Sequence, residues 1–385
     1  MPKVSWVIAA ILIFTTALPT AAQQAGQSNV PIVTGLDVLQ RAEAAFRAGD
    51  YARAVVDSSL FILLNPTFSR GYYLRGAAYV QLGDLPRALD DLERTLTYPA
   101  ADAAFTGGVY NLRALLYLEQ GNTDAALADL NAGIGAAPDV AALYLTRAEI
   151  YRVLGRFEDA LMDYDKAVEL DGESVEARAG RALLNTQTEA FDAALADYNR
   201  ILELEPENVE ALARRAGIYL AQAQYESALA DLDTAARLNP DAAGIYLSRG
   251  AANNALDRPA QAAADYLEWL NRVAARRATF TGAFLPGESV VVPLEAGLVY
   301  SFPFEAAAGQ RVRLTASGRP GQAVDPLLVL LDPAGNPVIA DDDGGGDMNA
   351  QITYVIPAGG TYTLLVGHAG GSPDGPVRVL LQIVR

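Results

Sequence analysis

The sequence predicts two structural classes in one chain of 385 residues: an all-α array of seven helix-turn-helix repeats, then an all-β sandwich. Three observations carry that prediction. The phrase AALADYNRILELEPEN, residues 193–208, has near copies beginning at Asp159 and Ser227, a constant 34 residues away on either side. From about Thr279 onward, helical periodicity gives way to short apolar runs punctuated by Gly and Pro. With 51% hydrophobic and only 19% charged residues, the chain has enough apolar surface to bury real cores.

The first element is a targeting signal. In MPKVSWVIAAILIFTTALPTAAQQAGQ, Lys3 precedes an apolar run from Val4 to Leu18, followed by Pro19 and the small residues Thr20, Ala21 and Ala22. This is the pattern of a secretory signal cleaved after Ala22, and its apolar run falls short of the ~20 residues that span a bilayer. An uncleaved membrane anchor is the alternative. Residues 1–22 are thus expected to be a signal peptide and 23–34 a linker, with the mature chain extracytoplasmic: secreted, periplasmic or cell-surface. No later segment reaches transmembrane length. The absence of Cys excludes disulfides, thiolate metal sites and cysteine nucleophiles. A formal net charge of -17 argues against nucleic acid as a partner.

The repeats occupy residues 35–278. Aligned on the Ala of an AL-x-D phrase, they are anchored at Ala54, Ala88, Ala126, Ala160, Ala194, Ala228 and Ala262. Successive spacings are 34 except for one of 38, where PAADAAFTGG (99–108) absorbs the extra residues. Twelve positions before each anchor stands a small residue: Ala42, Gly76, Ala114, Ala148, Ala182, Ala216 or Gly250. Small side chains there let paired helices approach closely. Four positions after it comes Leu92, Leu130, Tyr164, Tyr198, Leu232 or Tyr266, with Ser58 the exception. Pro66, Pro138, Pro206 and Pro240 stop the second helix, because Pro cannot continue it. A lone hairpin cannot bury its apolar face, so such units stack.

With this unit length, these small contact positions and Pro near the end, residues 35–276 resemble the tetratricopeptide repeat (TPR) family, whose fold is a helical solenoid. Asn185 and Asn253 depart from the pattern by replacing an aromatic, and Glu189 by filling a turn slot held elsewhere by Gly. Looser fifth and seventh units are expected.

A ladder of opposite charges runs through the repeats. Arg41, Arg75, Arg113, Arg147, Arg181, Arg215 and Arg249 each precede the small contact residue; Asp57, Asp91, Asp129, Asp163, Asp197, Asp231 and Asp265 each precede the packing residue of the second helix. Matched numbers of both signs near the helix interface favour structural bridges over a charged ligand groove. The family resemblance implies a concave surface, lined by the first helices, that holds an extended peptide or a partner's helix. Projected here, Glu43, Tyr73, Asn111, Leu115, Glu149, Arg152 and Leu183 are the candidate groove residues. The Lys and Asn repeated in family members that grip a terminal carboxylate are missing from these positions.

Residues 279–385 hold the strand candidates ESVVVPL, LVYSFPFE, QRVRLTA, PLLVLLD, QITYVIP, GTYTLLVG and VRVLLQIV. The stretches YSFPFEAAAGQRVRLTA, DPLLVLLDPAGNPVIADDDGGG and YVIPAGGTYTLLV, in that order, resemble the bacterial pre-peptidase C-terminal (PPC) domain. That resemblance implies a jelly-roll-like accessory domain of secreted proteins, found with peptidases and in some cases binding calcium or polymers. In ADDDGGGDMN, Asp341, Asp342, Asp343, Asp347 and Asn349 supply hard oxygen donors of the kind Ca2+ takes, with Asp325 and Asp332 as further candidates. An ordinary acidic, Gly-rich turn is the other reading. His368, the only histidine, is expected to face solvent at a strand end and is assigned no role.

The expected function is an extracytoplasmic scaffold, not an enzyme, that needs no cofactor, with Ca2+ the one candidate ligand. Its partner would be a protein or peptide in the repeat groove, with no membrane span once the signal is removed. The alternative is a cell-envelope module whose sandwich binds polysaccharide while the repeats act as a spacer.

Overall fold

The computed structural model describes residues 35–98, 102–318, 324–342, 349–369 and 374–384. The signal and linker expected over residues 1–34 lie outside them. The chain divides into two compact units, residues 1–190 and 191–385.

The first unit holds helices α1 (Gly35–Arg47), α2 (Tyr51–Leu64), α3 (Ser69–Gln81), α4 (Leu85–Thr97), α5 (Ala103–Glu119), α6 (Thr123–Ala136), α7 (Ala141–Val153), α8 (Phe157–Leu170) and α9 (Val175–Gln187). Within a hairpin, one short turn both ends the first helix and starts the second. Gly49 lies at φ 78°, and the Gly49 and Asp50 amides donate to the Phe46 and Ala45 carbonyls, which satisfies the open end of α1. The Asp50 side chain then accepts from the Arg53 amide and caps α2. Gly83-Asp84 and Gly121-Asn122 repeat the device between α3 and α4 and between α5 and α6.

The second unit opens with α10 (Phe191–Leu204), α11 (Val209–Ala221), α12 (Tyr225–Leu238), α13 (Ala243–Ala255) and α14 (Pro259–Val273). Glu189 was expected to be the one turn without Gly, but Ala223 and Asp257 also occupy the left-handed region, at φ 56° and 55°. A Cβ is strained there, and glycine is not. Ala223→Gly should therefore raise the unfolding free energy of the chain by about 0.5–1 kcal/mol, and Gly155→Ala should lower it by about the same amount. Urea titration would show both shifts. Equal stability of Ala223→Gly and wild type would mean the strain is relaxed locally.

All seven anchor alanines are fully buried, and so are the residues four positions later, from Ser58 to Tyr266. The need for small partners is steric. A Cβ on Gly76 would meet the Asp91 Cβ at 3.2 Å and the Ala88 carbonyl at 3.3 Å, and one on Gly250 would lie 2.9 Å from the Tyr266 ring.

Nine strands follow among the described residues: β1 (Arg276–Thr279), β2 (Ser289–Leu294), β3 (Leu298–Ala306), β4 (Arg311–Gly318), β5 (Pro326–Leu331), β6 (Pro337–Asp341), β7 (Ala350–Val355), β8 (Gly360–His368) and β9 (Gly375–Val384). They form a five-stranded sheet, β1-β3-β8-β5-β6, and a four-stranded sheet, β2-β9-β4-β7. The seven expected runs are present as β2–β5 and β7–β9, while β1 and β6 are additional. Strand β1 begins three residues before the expected boundary at 279 and pairs parallel with β3, Arg276 opposite Leu298, in an otherwise antiparallel fold.

The sandwich core lies between the sheets and includes Phe302, Phe304, Leu314, Leu328, Leu330, Ile352, Tyr362, Leu364, Val379 and Leu381. The five-stranded sheet is buried on its other face as well. Val299, Leu327, Val329, Ala340 and Leu365 form one cluster with Ala262, Ala263, Tyr266 and Leu270 of α14. This explains why PLLVLL is continuously apolar whereas QRVRLTA alternates: β5 has no solvent face, and β4 has one. Only Ala274 and Ala275 separate α14 from β1. Tyr266 Oη donates to Asp342 Oδ2 at 3.1 Å, and Trp269 Nε1 to the His368 carbonyl at 3.2 Å.

Candidate functional site

The ladder arginines stand midway along the first helices, where their reach is set by helix geometry. Arg75 donates through Nε and Nη2 to both oxygens of Asp91, at 2.8 and 2.7 Å. The Arg113–Asp129 and Arg147–Asp163 forks measure 2.7 Å on both prongs, and Arg215–Asp231 2.8 and 2.7 Å. Arg41 reaches Asp57 through Nη2 at 2.9 Å. The remaining nitrogen turns back 16 residues to the second helix of the preceding hairpin. Arg147 Nη1 lies 2.5 Å from Asn131 Oδ1, Arg215 Nη1 2.6 Å from Asn199 Oδ1, and Arg75 Nη1 3.2 Å from Ser59 Oγ. Arg181 donates to Asp165 in the same way at 2.7 Å, and Asp197 is buried. Arg75, Arg147, Arg215 and Arg249 thus each join three helices.

Tyrosines complete this arrangement. Residues three before and four after an arginine share its helix face, and there Arg113 lies 5.7 and 5.9 Å from the rings of Tyr110 and Tyr117. Arg147 sits 5.8 Å from both Tyr144 and Tyr151. The sequence signal for this was a Tyr three residues before and four after the arginine, as in Tyr110/Tyr117 and Tyr144/Tyr151. Asn253 explains one departure, since its Nδ2 donates to Asp265 Oδ2 at 2.9 Å where an aromatic would have covered the pair. The hydrogen bonds to Asp raise the already high pKa of Arg75, Arg113, Arg147, Arg215 and Arg249, so these groups stay charged at any ordinary pH. They are occupied structurally on both sides.

The candidate groove residues do not form a single class. Tyr73 belongs to the core, edge-on to Phe105 with ring centroids 5.1 Å apart, and burial pushes its phenol pKa up to about 12. Asn111 is buried too, and its Oδ1 accepts no hydrogen bond among the described residues. Glu43 is half-buried and accepts from Arg70 Nε at 3.0 Å. Leu115 and Leu183 are half-buried. Glu149 and Arg152 are brought together, with Arg152 Nη2 2.8 Å from Glu149 Oε2, and Tyr164 Oη donates to the other Glu149 oxygen. Burial and then the Glu149 charge push the Tyr164 phenol far above its ordinary pKa, which keeps it a donor. The sequence reading missed Tyr164 and Arg70 as partners of these residues.

In the acidic stretch, Asp343 and Asp347 lie outside the described residues. Asp341 Oδ2 accepts from the Gln351 amide at 2.7 Å, Asp342 Oδ2 from Tyr266, and Asn349 Oδ1 from the Gly318 amide at 3.2 Å. Asp332 is committed to its own turn, where the Asn336 side chain and nearby backbone amides hold its carboxyl below the usual range. Among the described residues no three acidic or histidine side chains gather into a metal-binding group. His368 is buried at the end of β8, not solvent-facing as expected, because α14 covers that face of the sheet.

Comparison with known proteins agrees with this anatomy. The family model described as tetratricopeptide repeat matches residues 111–175, 145–209 and 213–278, and that of the bacterial pre-peptidase C-terminal domain matches residues 299–368. Among solved structures, the C-terminal part of a TPR repeat-containing protein from Cytophaga hutchinsonii is 16% identical and has a TM-score of 0.50, covering 60% of this chain and 94% of that one. A tetratricopeptide repeat protein from Parabacteroides merdae is 23% identical with a TM-score of 0.44, covering 62% and 93%. At 16% identity the likeness to the Cytophaga protein concerns the fold alone. No helix among the described residues is long and apolar enough to cross a membrane.

Proposed function

Because the chain carries tetratricopeptide repeats followed by a C-terminal PPC domain, we propose that it is an exported, non-enzymatic scaffold that holds a segment of another protein along its first helices. One observation supports this above the others. At equivalent places on successive first helices, Leu115, Glu149 and Leu183 are neither taken into the core nor fully exposed. A partner segment laid across them would gain apolar contact from the leucines and orientation from the Glu149–Arg152 pair. The ladder arginines are already satisfied, so they hold the surface in place and do not themselves bind.

Placing a photo-crosslinking amino acid at Leu115, and separately at Met162 on the exposed side of α8, tests the proposal in the organism's own envelope fraction. The expected result is a defined adduct from position 115, lost when Leu183 is replaced by Glu, and none from position 162. Identical adducts from both positions would sink the assignment.

A further inference from the structure

The outward face of the four-stranded sheet has a chemistry of its own. In β4, Val312, Leu314 and Ala316 enter the sandwich core, and so do Val377, Val379 and Leu381 of β9. Alternation therefore turns Arg311, Arg313 and Arg378 the other way. The register sets neutral side chains beside them: Arg311 stands between Val355 and Val384, and Val291 lies opposite Arg378. Arg313 stands between Thr353 and Gln382, and Arg378 lies beside Ser317.

Three features set this face apart. No outward position on β2, β4, β7 or β9 is Asp or Glu, although the chain as a whole carries a formal charge of -17. None of the three arginines forms an ion pair among the described residues, unlike the forked arginines of the repeats. The Nε of Arg313 is buried and has no hydrogen-bond partner among the described residues. Unpaired guanidinium groups in an acid-free field on an acidic protein are complementary to an anion, and their planar fork matches a carboxylate.

The geometry points to an anionic polysaccharide, a chain of carboxylate-bearing sugars, as the ligand of this face. Strands about 4.8 Å apart with outward side chains about 7 Å apart along each strand make an extended lattice, not a pocket, and so suit a polymer. Thr353, Gln382 and Ser317 offer donors and acceptors to sugar hydroxyls, while the arginines take the carboxylates. No outward side chain on these strands is aromatic, so neither neutral sugars nor unstacked bases find a stacking platform. A bilayer is the less favoured surface, because a charged plane brought within the screening distance of about 10 Å would also meet the acidic remainder of the protein. A single polymer strand meets only the patch. The site lies wholly on strands of the second unit, whereas the groove residues proposed above belong to the first.

The test uses full-length protein and polygalacturonate, with neutral dextran, single-stranded DNA and phosphatidylglycerol vesicles as comparators. Binding to polygalacturonate is expected to weaken as salt rises. Arg311→Gln/Arg313→Gln/Arg378→Gln should reduce it at least tenfold without changing the melting temperature, and the corresponding triple Lys variant should recover only part of the loss. If the triple Gln variant fails to fold, the exposed Arg378→Gln alone should reduce binding at least threefold. The proposal is overturned if wild type does not bind polygalacturonate, if the Gln variants bind as wild type does, or if dextran, DNA or vesicles bind as tightly.

Discussion

Tyr266→Ala in the full-length chain is expected to lower the unfolding free energy of the C-terminal unit by about 3–5 kcal/mol, among the largest effects available to a single substitution in this protein. The side chain is fully buried, lies against Gly250 of the preceding helix, and belongs to the cluster shared by α14 and the five-stranded sheet. Truncation removes the transfer energy of the ring and leaves a cavity between two elements that cannot both move in to fill it. Tyr266→Phe separates the contributions. It keeps the ring and loses the hydroxyl that donates to Asp342, so about 1 kcal/mol is expected. Urea unfolding followed by fluorescence of Trp269, which packs against the same cluster, reports on both variants. A Tyr266→Ala variant within 1 kcal/mol of wild type would mean that α14 and the sheet do not share a core.

Arg147→Ala comes next in size. Asp163 is almost completely buried, its side chain 7% exposed, and it depends on the guanidinium for both strong hydrogen bonds. Removing the arginine strands a buried carboxylate at a cost of about 3–5 kcal/mol, and the Tyr144 and Tyr151 rings lose the cation between them as well. Adding Asp163→Ala should recover a substantial part of the loss, because no unpaired charge then remains. Arg214→Ala is the comparison: that arginine pairs with Glu210 on the exposed face of α11, and its loss should cost less than about 1 kcal/mol. Equal effects from Arg147→Ala and Arg214→Ala would show that the ladder contributes no more than a surface ion pair.

The repeats were legible in the sequence because stacking leaves a periodic trace. Each hairpin must present a small residue where its two helices meet, so Gly76 and Gly250 recur in step with Ala88 and Ala262. The second residue of each charge pair could be found for the same reason, as a fixed offset from the first. What could not be read depends on contacts without a period. Tyr266 and Asp342 lie 76 residues apart, and nothing local to ADDDGGG says that one of its carboxylates takes a tyrosine hydroxyl. Strand β1 went unseen because RRAT is short, charged and not alternating; it forms because the chain leaving α14 runs directly alongside β3. By contrast, Ala223 and Asp257 were legible, since they stand 34 and 68 residues after Glu189 in the same turn slot. Tyr73 was placed in the groove by its position on the helix, but Phe105 lies across it and draws it into the core.

The two-residue junction between α14 and β1 bears on how this protein could be cut and recombined. A break near residue 279 divides a cluster that draws on both helix and sheet, and it exposes Leu270, Leu327 and Leu365 together. A portable cassette must therefore begin upstream, at Ala243, so that α13 and α14 travel with the strands. By the same logic, the last hairpin is an end plate: one side meets its own kind, and the other is cut to the shape of a β-sheet.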